Sequence, residues 1–117
     1  MAAGYQNLFL NQGETFTTQL TLDDSNGLPY NLTGFSIASQ AKKSYYTANT
    51  VITFDATISD ANNGVIQLSA NSATTANVYT PQLVYDVCIR QNSTGVVTRV
   101  LEGIIYVSPA VTKTLSF

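Results

Sequence analysis

Residues 83–107 are laid out as a β-hairpin. Leu83-Val84-Tyr85-Asp86-Val87-Cys88-Ile89-Arg90 and the run from Val96 to Val107 are rich in β-branched and aromatic side chains. The polar turn Asn92-Ser93-Thr94-Gly95 between them ends in glycine, and that order of elements specifies two antiparallel strands. Taken alone, these residues point to a β-sandwich. Gly103, inside the second run, predicts a bulge or the close approach of another backbone.

The rest of the chain alternates in the same way. Leu8 and Leu10 stand two apart in a short first strand, and residues 14–22 place Phe16, Leu20 and Leu22 on one face with threonines largely covering the other. Asp23-Asp24-Ser25-Asn26-Gly27 is a turn. Asn31-Leu32-Thr33-Gly34 makes a second corner into a strand at 35–41. Residues 42–50 carry no pattern and read as a surface loop bearing Tyr45 and Tyr46. Alternation returns with Ile52, Phe54 and Ile58 inward, and the turn 60–64 leads into a strand over 65–70. Residues 72–77 suit one helical turn capped by Ser72. Short strands at this spacing, about six to eight of them, predict an antiparallel sandwich or barrel. With no internal repeat or linker, residues 1–117 read as one domain.

The surface these strands present is poor in charge. Charged residues make up 10% of the chain, against about 25% in a typical domain, so Thr, Ser, Asn and Gln must supply the polar exterior. Five basic side chains and a net charge of -2 give no footprint for nucleic acid. Weak charge favours association, as suits a subunit of an assembly. The N-terminus lacks the charged start and apolar run of a signal peptide, and nothing approaches the roughly 18 consecutive apolar residues of a membrane span. Synthesis in a cytoplasm without membrane insertion is the expectation.

Chemistry is hard to build from this set. Histidine is absent, which removes the usual general base and the commonest neutral metal ligand. Cys88 is the sole cysteine and reads as a small residue packed in or beside the core. Asp86 and Glu102, on the two strands of the hairpin, are the plausible carboxylate pair for a hydrolase. Arg90 and Arg99 lie on the same strands, so cross-strand ion pairing accounts for all four more simply. The turn at Asp60 has glycine fifth and Asn71 twelfth, which departs from a calcium loop. No catalytic, cofactor-binding or metal site is expected.

Seven tyrosines and no tryptophan remain to be placed. Exposed tyrosines among amides and threonines suit contact with sugars or proteins; the plainer alternative is that Tyr85 and Tyr106 fill the core and the rest decorate loops. Tyr45 and Tyr46, with Asn49 nearby, are either an interface, where exposed aromatics among amides meet proteins or sugars, or an ordinary loop. The last residues alternate, with Leu115 and Phe117 on one side, like an edge strand or an anchor for a neighbouring subunit. Residues 1–7 carry little apolar pattern. The two ends, 1–7 and 113–117, are therefore expected to be arms that matter for assembly more than for stability.

Several fragments occur in an order seen elsewhere: Gly13-Glu14-Thr15-Phe16, then Pro29-Tyr30-Asn31-Leu32-Thr33-Gly34, then Asn63-Gly64-Val65-Ile66. Tyr85-Asp86-Val87, residues 97–103 and residues 107–112 complete the series. Together they resemble the small Ig-like virion modules of tailed bacteriophages, especially cyanophages, with Glu14 where many such modules have Asp. The resemblance implies a single antiparallel Ig-like β-sandwich with no catalytic residues. It also implies a structural protein of the virion, in the baseplate, fibre, neck or head decoration. Its partners would be other virion proteins and copies of itself. A chain that starts at Met1 and holds the module alone is expected to be a small stand-alone subunit. The alternative is an adhesion module that binds a receptor or a host-surface glycan.

Overall fold

The computed structural model describes residues 4–24, 26–46 and 49–111. Among them are nine strands: β1 (Gly4–Tyr5), β2 (Leu8–Asn11), β3 (Phe16–Thr21), β4 (Phe35–Lys42), β5 (Ile52–Thr53), β6 (Asp55–Asp60), β7 (Val65–Ala70), β8 (Gln82–Gln91) and β9 (Val97–Ser108). One helix, α1 (Ser72–Ala76), joins β7 to β8. Its cap is Asn71, whose side chain accepts from Thr74 N at 2.8 Å, and Ser72 is the first helical residue.

The fold is all-β, built from two open sheets. In the larger, six-stranded sheet β1 and β2 lie end to end along β9, followed by β8, β4 and β5; the smaller runs β3-β7-β6. This corrects the expectation of a single antiparallel Ig-like sandwich. β1 and β2 run parallel to β9, with Tyr5 opposite Glu102 and Phe9 opposite Tyr106. Alternation reports which face a residue takes and carries no information on strand direction, so a parallel pair between distant strands leaves no local trace. The hairpin itself forms as expected, pairing β8 with β9 from Gln82↔Tyr106 to Arg90↔Val97.

The core lies between the sheets. Leu83, Tyr85, Val87 and Ile89 of β8 and Leu101 and Ile105 of β9 are buried there with Leu8, Leu10, Ile66 and Leu68. Ile52 and Phe54 belong to a segment that changes sheets: Ile52–Thr53 pairs with β4 and Asp55–Asp60 with β7. Phe54, at the crossing, is buried against Phe16, with ring centroids 5.7 Å apart.

Two details position the outer surface. The β8–β9 register shifts between Val87 and Cys88, so Val87 faces Leu101 and Cys88 faces Arg99. Val100 is the extra residue, and a bulge of this kind reverses the parity of the strand beyond it. Val100 and Leu101 are consequently both buried, and Arg99 shares the outer face with Glu102. The second detail is the docking of the N-terminus. Gln6 N donates to Glu102 O at 2.9 Å, the Tyr85 hydroxyl donates to Gln6 O at 2.5 Å, and Ile104 N donates to Asn7 Oδ1 at 3.2 Å. The part of the expected 1–7 arm from Gly4 onward is therefore a component of the sheet.

Candidate functional site

Because the odd-numbered side chains of β8 from Leu83 to Ile89 are buried, Val84, Asp86, Cys88 and Arg90 project to the outer face of the larger sheet. Beyond the bulge in β9, Glu102, Ile104 and Tyr106 join them. The core position of Tyr106 on that plainer alternative is thereby corrected: its ring stands outside and stacks on Phe9, with centroids 5.6 Å apart and planes at 25°. Phe9 is 76% exposed and Tyr5, further along the same edge, 60% exposed. Tyr85 does fill the core. Cys88 also moves relative to expectation, to a half-buried place on the outer face.

The expected candidates sit at the other side of this face. Tyr45 is 60% exposed and Tyr46 99% exposed, in the loop after β4. Tyr45 helps line a shallow recess of about 200 Å³ with Gln40, Lys42, Val84, Asp86 and Arg99. Asn49 is exposed in the same loop. Leu115 and Phe117 lie outside the described residues. The structure thus places one aromatic pair beside the recess and a second, Phe9 with Tyr106, at the β2 edge. The sequence held a signal for the second: with Leu8 and Leu10 inward, Phe9 must face out.

Electrostatics on this face are local. The register sets Asp86 directly opposite Glu102, a like-charge pair that destabilises unless offset. The bulge supplies the offset by bringing Arg99 Nε to 3.5 Å from Glu102 Oε2. The expected cross-strand pairing of all four groups is replaced by this contact along β9, while Arg90 faces Val97. Burial pushes the Cys88 thiol above its ordinary pKa, Asp86 adds to the rise and Arg99 opposes it. A thiol held protonated is a poor nucleophile.

The β2 edge is bounded by a groove of about 320 Å³ between β2 and β3, lined by Leu8, Phe9, Asn11, Glu14 and Phe16 among others. β2 pairs with β9 on one side, and its other side faces this groove without a strand among the described residues. Among those residues no helix is long and apolar enough to cross a membrane. No group of three or more His, Cys, Asp or Glu side chains there could hold a metal ion. No protein-family model matches the chain, and no curated protein is significantly similar to it.

Proposed function

We propose that the protein is a non-enzymatic structural subunit of a tailed-phage virion, used in multiple copies and joined to its neighbours through sheet edges and chain ends. The observation that carries this reading is the β2 edge, open among the described residues, uncharged from Leu8 to Asn11 and bearing Phe9 at 76% exposure. Folded proteins blunt such edges with charge, proline or short strands, because unpaired backbone groups recruit other chains. The charge-poor exterior agrees with close packing of copies, and the ordered phage-like fragments indicate the kind of particle. Residues 113–117, with Leu115 and Phe117, supply the second proposed contact. Mass spectrometry of purified particles should find this chain at a fixed copy number. Its absence from washed particles would refute the reading.

A second reading rests on Tyr46, a residue 99% exposed, and on the recess beside Tyr45. Here the loop is an adhesion surface, with Tyr45, Tyr46 and Asn49 meeting a host-surface glycan. The double variant Tyr45→Ala, Tyr46→Ala should then lose binding to host envelope while its unfolding midpoint stays unchanged. Equal binding by variant and parent would remove this reading.

A further inference from the structure

The backbone of β2 shows which groups are left over at its free side. Gln6 N donates to Glu102 O, and Gln12 N donates to Ser108 O, each at 2.9 Å. Leu8 and Leu10, in phase with Gln12, therefore turn their N–H and C=O groups toward β9. By the alternation of an extended strand, Phe9 and Asn11 turn theirs toward the groove. Asn11 O accepts from Glu14 N at 3.2 Å, so Phe9 is the residue of β2 whose N–H and C=O are both left over among the described residues.

From this we infer that β2 is a homodimer edge, pairing antiparallel with β2 of a second copy about a twofold axis through Phe9. The arrangement is self-complementary, as a twofold contact requires. The two Phe9 residues would exchange N–H···O=C bonds. Leu8 would fall opposite the partner's Leu10, both on the core side, and Asn7 opposite the partner's Asn11 on the outer side. The strand has no charged residue, so no like charges meet across the axis. Side by side on the outer face, the two Phe9 rings would extend each Phe9–Tyr106 stack into a row of four rings. Aromatic cross-strand pairs of this kind add to ladder stability.

The other free edges fit the role less well. β5 is two residues long, β6 carries Asp55 and Asp60, and the outward side chains of β3 are Thr17, Gln19 and Thr21. The groove leaves the free side of β2 open among the described residues, and its wall contributes Leu8 and Phe16. A second copy is thus the occupant that matches both the bare backbone and the bare ring.

The inference rests on the reading of the protein as an assembly subunit and names one of its contacts. Sedimentation equilibrium on the full chain should give two copies for the parent and one for Phe9→Lys, with the far-UV spectrum and cooperative unfolding retained. Hydrogen exchange on the parent, which needs no variant, should show the Phe9 amide protected, with protection falling on dilution through the dimer transition. A monomeric parent, or a dimer that keeps its mass in Phe9→Lys, would overturn the proposal. So would Phe9 protection that is independent of concentration and vanishes when residues 112–117 are deleted, since the chain's own end would then cover the edge. A monomer found at fixed copy number in particles would sink the dimer alone. A dimer missing from particles would sink the virion role alone.

Discussion

The carbonyl oxygen of Gln6 occupies the place where a side chain on Gly103 would begin. A Cβ at position 103 would overlap that oxygen and come within 2.8 Å of the Gln6 carbonyl carbon. Glycine in the middle of a strand weakens it, yet here it lets the first strand press against the last. The same carbonyl accepts the Tyr85 hydroxyl, so one backbone group joins β1–β2, β9 and β8.

Replacing Gly103 with alanine should therefore destabilise the protein by about 1–3 kcal/mol, the range for forced overpacking. The check is a lower urea midpoint at unchanged slope. In a chain lacking residues 1–6 the same substitution should cost far less, because the obstructing carbonyl is gone. Equal costs in the two backgrounds would show that Gly103 matters for another reason.

Tyr85 ties stability to alkaline pH. Burial, with a smaller contribution from Tyr5, pushes its phenol above the ordinary range. The folded state thus holds this proton more tightly than the unfolded chain, whose tyrosines titrate near pH 10. The contribution is complete below that pH and is lost as pH rises through and beyond it. Cys88 is raised as well and acts in the same sense, so the measurement belongs in a Cys88→Ser background. There, urea midpoints should fall with pH above about 10, and Tyr85→Phe should flatten the decline. At neutral pH Tyr85→Phe should cost about 1–3 kcal/mol by leaving the Gln6 carbonyl unpaired.

Much of the frame was legible because faces follow period two. Phe16, Leu20 and Leu22 turn inward as their spacing requires, as do Ile52, Phe54 and Ile58. The 83–107 hairpin forms, and Gly103 marks a close backbone approach. Direction was not legible, since Leu8-Phe9-Leu10 reads alike in a parallel or an antiparallel strand. Nor was the parity of β9. Val100 and Leu101, then Ile104, Ile105 and Tyr106, put apolar groups on both faces, and only the bulge decides that Tyr106 goes out. Of the candidate surface, Tyr45 and Tyr46 stood out by sequence. Phe9 became notable once β2 proved to be an edge.

Gln12 had no signature in the sequence, yet it holds one end of the two-sheet core. Buried at 6% exposure, its Nε2 donates to Val78 O at 2.8 Å and to Ala76 O at 3.3 Å, and its Oε1 accepts from Ala110 N at 2.9 Å. Two distant segments, at 76–78 and at Ala110, converge on one amide. Gln12→Leu keeps much of the volume but leaves the buried Val78 carbonyl unpaired, at about 1–3 kcal/mol, and takes a partner from the part-buried Ala76 carbonyl and Ala110 N–H. The expected result is a loss of about 2–4 kcal/mol, read from chemical denaturation. A change below about 0.5 kcal/mol, typical of neutral surface sites, would mean that water replaces the amide without loss.

Removing residues 1–7 gives the sharpest contrast with the expectation of a dispensable arm. The deletion takes away β1, the Gln6 N–Glu102 O bond and the side chain of Asn7 that accepts from Ile104 N. It also leaves the Tyr85 hydroxyl, within a residue only 2% exposed, without its acceptor. At roughly 1 kcal/mol for each hydrogen bond, and more for a buried donor left unmade, the truncated chain should lose about 2–4 kcal/mol. Its amide exchange should quicken most at Ile104 and at its neighbours in β9, where the ladder loses its outer partner. A truncated chain as stable as the parent, with unchanged exchange in β9, would show that Gly4–Asn7 is carried by the sheet without supporting it.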